Sequence, residues 1–301
     1  MNATMGSRGT DTRRTRADYR HVERLRVRWS EIDQQQIVFN GHYLTYFDVA
    51  IAGYWRSLAL PYADSMALLE GDMVLRKATV DYLASARYDD VLDVGLRAGR
   101  VGTTSLRFEG TVFRGDEPLV DGELVYVFVA PHVFTPKPVP AAYRDALRAF
   151  EAGEPMIDVR LGPWRELAAD ATPLRTRVFV EEQCVPAEIE IDAADADAVH
   201  AVARNRLGAV LATGRLLVHG DPAQRVAKIG RMAVDRPARN GGVGRAVLDA
   251  LLEAARARGD REVVLHAQAT AERFYLRAGF VRDGEPFEEA GIAHVAMKKP
   301  V

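Results

Sequence analysis

The sequence predicts an α+β chain of two consecutive domains: an antiparallel sheet wrapped on one long helix, then a mixed sheet with flanking helices. Three observations carry this. The chain has 301 residues, more than one core usually organises at about 150 residues per domain. Four prolines between positions 131 and 140 withdraw backbone donors and fix φ part-way along, which interrupts regular structure. The order of periodicities also differs on the two sides of that break: one helix then several strands before it, strands and helices interleaved after it.

Composition narrows the function classes. Apolar residues make up 48% and charged residues 27%, the balance of an ordinary soluble globular protein. A net charge of -2 supplies no basic field, so neither a nucleic-acid partner nor a basic membrane-binding surface is expected. Cys184 is the only cysteine, which excludes an intrachain disulfide and a multi-cysteine metal site and fits a reducing cytoplasm. No run approaches the ~18 apolar residues of a membrane span. Residues 1–20 are polar, carry Arg13, Arg14 and Arg16, and lack the apolar core of a secretion signal. They read as a frayed, solvated tail, and Asp11 and Asp18 argue against an acid-poor organelle presequence.

The first domain is expected over residues 21–143. A short alternating segment at 21–28 precedes Trp29-Ser30-Glu31-Ile32-Asp33. Apolar and aromatic residues then recur at Tyr43, Tyr46, Phe47, Ala50, Tyr54 and Leu58, the three-and-four spacing of a helix with one buried stripe. Asn40 is placed to cap it, and Pro61 lies beyond its end. Strand-like runs follow at 73–82, 91–97, 105–114 and 119–129. Their dividers are turn-prone: Tyr88-Asp89-Asp90, residues 99–102, and Gly115-Asp116-Glu117-Pro118. Residues 141–151 read as a connecting helix closed by Gly153-Glu154-Pro155, and the linker is expected over 144–156.

The second domain is expected over residues 157–301. It opens with a strand near 156–161 and helical material from 164 to about 182, then strands near 199–204 and 208–218. A strand at 226–234, a glycine-bearing turn and a helix from about 242 to 258 come next. Strand, helix and strand recur at 262–266, 271–278 and 292–297.

The turn Arg239-Asn240-Gly241-Gly242-Val243-Gly244-Arg245 is the most informative segment. Glycines let backbone N–H groups approach an anion, and the first turn of a helix offers unpaired donors at the positive end of its dipole. Arg239 and Arg245 add mobile positive charge, so a pyrophosphate is the natural ligand. A glycine cluster can also be a flexible turn or a neutral way to begin a helix. No Lys-Ser or Lys-Thr follows the last glycine, so it is not a Walker loop. It also sits late in a mixed arrangement, unlike a dinucleotide fingerprint.

Arg239-x-x-Gly242-x-Gly244, following Ile229-Gly230-Arg231-Met232-Ala233-Val234, resembles motif A of GNAT acetyltransferases. Ala271-Glu272-Arg273-Phe274-Tyr275-Leu276-Arg277-Ala278-Gly279-Phe280 resembles motif B. With Arg177-Val178-Phe179-Val180-Glu181-Glu182-Gln183 upstream, the likeness extends over nearly all of residues 157–299 and is similar to the ElaA-like branch. It implies that acetyl-CoA is a substrate. Its pyrophosphate would lie on the loop from Arg239 through Asn240, Gly241, Gly242, Val243 and Gly244 to Arg245, and its pantetheine along the main chain of Met232, Ala233 and Val234. It also implies that Tyr275 protonates the departing thiolate, a suitable task for a phenol, whereas an isolated Tyr reads as a core aromatic. The acceptor is an amine, small or on a protein. Glu181, Glu182, Glu190, Asp192, His200 and His266 all have the chemistry of a base, and the sequence does not choose between them.

Asp33 stands just before the aromatic helix. A carboxylate there can activate water or attack a thioester, with helix-start N–H groups stabilising an oxyanion; Ser30, Glu31 and Asp33 also suit turn and capping roles. Trp29-Ser30-Glu31-Ile32-Asp33 through Val38-Phe39-Asn40-Gly41-His42-Tyr43, with Ala86-Arg87-Tyr88-Asp89-Asp90 downstream, resembles the hotdog thioesterases of the 4-hydroxybenzoyl-CoA and YbgC/FadM-like kind. That resemblance implies acyl-CoA hydrolysis at Asp33, substrate contacts from Asn40, His42 and Tyr43, no metal, and a homo-oligomer formed through the hotdog domain. Gln34-Gln35-Gln36 departs from the small residue and glycine common there. The alternative expectation is a non-catalytic hotdog module for oligomerisation or acyl-CoA sensing.

Overall fold

A computed structural model describes residues 14–301 of the chain. Apart from Ala59–Pro61, which group with the second, two compact units meet at Glu154 and Pro155.

In the first unit, β1 (His21–Arg26), α1 (His42–Ser57), α2 (Tyr62–Leu68), β2 (Asp72–Tyr82), β3 (Val91–Val101), β4 (Ser105–Arg114), β5 (Glu117–Val129) and α3 (Ala141–Glu151) follow in order. The five strands form an antiparallel sheet in the order β1-β3-β4-β5-β2. The apolar stripe of α1 lies on this sheet, with Tyr43, Tyr46, Phe47, Ala50 and Tyr54 buried. Gly110 and Gly122 are paired across β4 and β5, and a Cβ on either would fall 2.8 or 2.5 Å from the Phe47 ring. Their missing side chains are the hole that Phe47 fills.

Several expectations change here. Strand β3 runs on through Gly99 to Val101, with a register shift between Ala98 and Val101, where a turn was expected to begin. The helix Ala141–Glu151 is no detached connector: Tyr143, Ala146, Leu147, Ala149 and Phe150 are buried. Phe150 packs edge-on against Tyr54 at 5.1 Å, and Tyr143 stacks on Trp55 at 4.9 Å. Its own stripe at three-and-four spacing demands that burial. The tail ends earlier than residue 20. Tyr19 is buried, bonded to Thr111 Oγ1 at 2.8 Å, and fills the space left by Gly95, whose Cβ would lie 2.5 Å from its ring. Residues 1–13, with Arg13 and Asp11, lie outside the described residues.

The second unit contains β6 (Ile157–Pro163), α4 (Trp164–Arg175), a π turn (Thr176–Glu182), α5 (Ala187–Glu190), β7 (Val199–Asn205), β8 (Val210–His219), β9 (Val226–Val234), α6 (Val243–Arg258), β10 (Glu262–Gln268), α7 (Glu272–Arg277), β11 (Val281–Arg282), β12 (Phe287–Glu289) and β13 (Ile292–Pro300). The strand order is β11-β13-β10-β9-β8-β7-β6, with β12 on β13. All pairs are antiparallel except β9 with β10. Helix α6 supplies Val243, Val247, Leu248, Leu251 and Leu252 to the core.

Two irregularities in β9 position everything that follows. Its parallel pairing with β10 extends only from Glu262↔Val226 to Val264↔Lys228, although both strands continue. The edge of Ile229–Val234 that faces away from β8 therefore has no strand partner. On the β8 side the register passes from Thr213↔Ala233 to Arg215↔Gly230, so Arg231 and Met232 share one partner. This bulge puts Arg231 at φ 51 and re-aims the strand.

Candidate functional sites in the two units

The open edge of β9 leads directly into the glycine loop. After a 3-10 turn at Arg236–Ala238, Asn240 and Gly242 both take positive φ, 65 and 82. The first helical bond runs from Ala246 N–H to Gly242 O at 3.1 Å. The N–H groups of Val243, Gly244 and Arg245 precede it at the helix end and have no acceptor among the described residues, as an anion site requires. Gly244 lets the helix lie close to β9, since a Cβ there would sit 3.0 Å from Val234 Cγ2.

The arginines are not the mobile charges expected. Arg239 grips both carboxylate oxygens of Glu182 at 2.6 Å and gives Nε to Val234 O at 3.1 Å. That bidentate bond holds the Glu182 carboxyl below its ordinary range. Arg245 binds both oxygens of Asp249 at 2.8 Å, one helical turn on. Each guanidinium thus finds a carboxylate within reach. The backbone N–H groups remain as the unengaged donors.

Tyr275 lies on α7 and is 7% exposed. Phe274 and Phe280 pack edge-on against its ring at 4.9 and 5.8 Å. Its hydroxyl has no hydrogen-bond partner among the described residues. Burial pushes the phenol well above its ordinary value, so it stays a proton donor across the neutral range.

The structure separates the six possible bases. Glu190 and Asp192 belong to a buried ionic network that residue patterns did not reveal. Arg175, 1% exposed, binds Glu190 at 2.6 Å and Asp195 at 2.9 Å. Arg215 binds Asp192 at 2.6 Å and Asp195 at 2.9 Å, and Arg231 reaches Asp192 at 3.0 Å. Burial raises the Glu190 carboxyl despite Arg175 and Arg231, whereas in Asp192 and Asp195 the arginines overcome burial and lower it. The available signal was Arg215, a charge inside an otherwise apolar strand. His200 is fully buried, with Nε2 3.0 Å from Asp195 O. Glu182 is held by Arg239, and Glu181 is exposed. His266 pairs through Nδ1 with Glu289 Oε2 at 2.8 Å.

In the first unit Asp33 heads a tight turn closed by an Ile32↔Val38 bridge. Its N–H donates to Ile37 O at 2.9 Å, and its Oδ1 accepts the Gln35 N–H at 2.7 Å. Gln36 stands at φ 60, so the glutamine run keeps a backbone that glycine would adopt more cheaply, at a cost of about 1 kcal/mol. Asp33, Asn40 and Tyr43 line a single cavity of ≈ 650 Å³, with Phe39 and Tyr82. The Tyr43 hydroxyl accepts the Ala86 N–H at 3.0 Å, and Tyr82 donates to Asn40 O at 3.0 Å.

One expectation fails at this site. Asn40 does not cap α1: the helix starts at His42 with Gly41 before it and no side-chain cap bond, because Phe39 O already takes the His42 N–H at 2.9 Å. His42 is not among the cavity residues, and its ring packs against Phe39 at 6.0 Å. Glu31 is more than a turn residue. It is buried, and burial alone would raise its carboxyl. The Arg28 N–H at 2.8 Å, the Tyr46 hydroxyl at 2.8 Å and the Arg28 guanidinium hold it low instead. Among the described residues no group of three or more His, Cys, Asp or Glu is placed to hold a metal.

Comparison with known proteins bears on both units. Residues 35–120 match the family model described as thioesterase superfamily, and residues 167–301 match that of the acetyltransferase (GNAT) domain. The uncharacterized N-acetyltransferase YjcF of Bacillus subtilis is 36% identical over 135 residues, 44% of this chain and 93% of the relative. The chain carries a thioesterase domain over residues 35–120 and belongs to the GNAT acetyltransferases through its second domain. Escherichia coli ElaA is 30% identical to the GNAT domain, covering 48% of this chain and 99% of that one, with a TM-score of 0.43. A thioesterase from Thermus thermophilus, solved with coenzyme A and Zn, is 29% identical, covering 46% and 98%, with a TM-score of 0.40. Both families take acyl-CoA as substrate, and no helix among the described residues is long and apolar enough to cross a membrane.

Proposed function

We propose that the chain is a bifunctional CoA-thioester enzyme: the hotdog domain hydrolyses an acyl-CoA, and the GNAT domain transfers an acetyl group from acetyl-CoA to an amine. The observation that carries the transferase half is the open edge of β9 running straight into unengaged helix-start N–H groups. Pantetheine would pair with Met232, Ala233 and Val234, and the pyrophosphate would rest on the Asn240 to Arg245 amides. Tyr275 would protonate the leaving thiolate, because its buried phenol holds its proton until a strong base appears beside it. In the hotdog cavity Asp33 would activate water or attack the thioester, while N–H groups at the start of α1 hold the oxyanion. Asn40 and Tyr43 would line the acyl site, and the domain would pair with a second copy in the cytoplasm.

One observation favours a second reading of the hotdog half. Gln34 and Gln35 line the cavity beside Asp33, a polar rim suited to a non-catalytic acyl-CoA sensor. The deciding experiment measures free thiol from several acyl-CoAs, with and without primary amines. Hydrolysis without amine is expected, and Asp33→Asn should slow it about a hundredfold or more while CoA binding persists. Equal hydrolysis by the variant removes Asp33 from the mechanism; none by the wild type favours the sensor.

A further inference from the structure

Of the six side chains able to take a proton from an attacking amine, five are excluded by their surroundings. Glu182, Glu190 and Asp192 are bound to arginines, His200 is fully buried, and Glu181 has nothing among the described residues to orient it. We propose that His266 is the general base of the acetyl transfer and that Glu289 is its positioning residue; this rests on the transferase reading above.

Position comes first. His266 lies two residues past Val264, the last β10 residue paired with β9, so it stands where the strands part and the thioester would lie. Val263, Leu265 and Ala267 are buried, while the His266 side chain is 36% exposed on the other face. Across the gap, a Cβ built on Gly230 would meet nothing within 4 Å. The face of β9 at Gly230, which continues the Val264↔Lys228 register toward His266, is therefore clear of other groups. Gln268, two residues on, bonds through Nε2 to Gln183 Oε1 at 2.8 Å, which ties the end of β10 to the segment after the π turn.

Orientation comes second. The Glu289 carboxylate at 2.8 Å fixes Nδ1 as the donor, which leaves the lone pair on Nε2. Phe287 stands edge-on to the ring at 4.9 Å, so a carboxylate and an aromatic edge hold one rotamer. Nε2 has no partner among the described residues. The charged and titratable groups around the pair are Glu289 on β12, His294 on β13 and Lys228 on β9. Burial works against ionisation of Glu289, but the His266 bond and the His266, His294 and Lys228 charges outweigh it and keep the carboxyl low. An ionised carboxylate behind the ring steadies the imidazolium that proton transfer creates.

The amine nitrogen forms a C–N bond to the thioester carbonyl carbon and passes its proton to His266 Nε2. The C–S bond breaks, and the thiolate takes the Tyr275 proton. The imidazolium proton returns to the tyrosinate through solvent, so the products are an amide and free CoA thiol.

The test uses the full chain, acetyl-CoA and three probes: spermidine, benzylamine and a lysine-containing peptide. His266→Gln should lower kcat about a hundredfold, with acetyl-CoA affinity by calorimetry within about twofold. Added imidazole should restore part of the rate in that variant. Glu289→Gln should lower kcat with the KM for acetyl-CoA unchanged, and Glu289→Asp should recover part of the rate, which a purely structural role would not do. If the wild type acetylates an amine and His266→Gln stays within about threefold of it, the base assignment is overturned while the transferase stands. A wild type that acetylates none of the probes overturns both.

Discussion

Gly242 and Gly208 form a matched pair for testing the phosphate loop. Both stand at left-handed φ, +82 and +83, and a Cβ on either meets nothing within 4 Å. Alanine therefore clashes with nothing at either site, and its folding cost is the backbone strain of an L residue at positive φ, about 1–2 kcal/mol. The lower entropy of the unfolded alanine chain offsets part of that strain, so about 1 kcal/mol net is expected for each. In a domain of this size that lowers Tm by about 2–4 °C, equally for Gly242→Ala and Gly208→Ala. The two should part on acetyl-CoA. Gly208 turns the β7–β8 hairpin, bonded to Asn205 O at 2.9 Å, and its substitution should leave affinity unchanged. At Gly242 the methyl enters the open space at the loop and the strain tilts the next amide. Loss of one charge-assisted bond to phosphate, about 1.5–3 kcal/mol, weakens binding about ten- to a hundredfold. Thermal melting and titration calorimetry on both variants measure this. Equal destabilisation with wild-type affinity in Gly242→Ala would refute the pyrophosphate assignment.

Two further outcomes follow from buried hydroxyl and carboxyl groups. Tyr275→Phe keeps the ring packing and removes a hydroxyl without a protein partner, so stability should change by less than about 0.5 kcal/mol. Acetyl transfer should slow about a hundredfold while amine-independent hydrolysis continues, and loss of both activities together would contradict separate sites. Glu31 has a folded pKa below its unfolded one, so its contribution is complete above the ordinary carboxylate range and disappears as pH falls through the folded value. Glu31→Gln should therefore be less stable by about 1–2 kcal/mol at neutral pH, with the gap closing in acid, as denaturant titrations at both pH values would report. A gap independent of pH would assign the effect to packing instead.

Much of the fold was legible because it rests on local periodicity. The stripe from Tyr43 to Leu58 announced α1, and Val226–Val234 was read with the bounds it has. The errors have two causes: for Tyr19 and Arg239 the deciding groups are distant in sequence, and for Asn40 and Arg245 a nearby group took the bond first. Asn40 suited a cap by residue type, but Phe39 O had already taken the amide. Residues 14–20 looked solvated, but Tyr19 meets a hole that Gly95, on another strand, leaves for it. Arg239 and Arg245 looked free because Glu182 lies 57 positions from the one, and Asp249 was not read as a partner of the other.

The sequence by itself determined the two domain families, the glycine loop, and the residue types of both sites, since motif spacing survives without coordinates. Only the tertiary structure decided how those groups are paired and buried. It opened β9 to one side, tied three of the six possible bases to arginines and buried a fourth, and left His266 with Glu289 behind it. Ion pairs and cavities depend on distances between strands and loops, and a linear pattern does not encode those distances until the chain has packed.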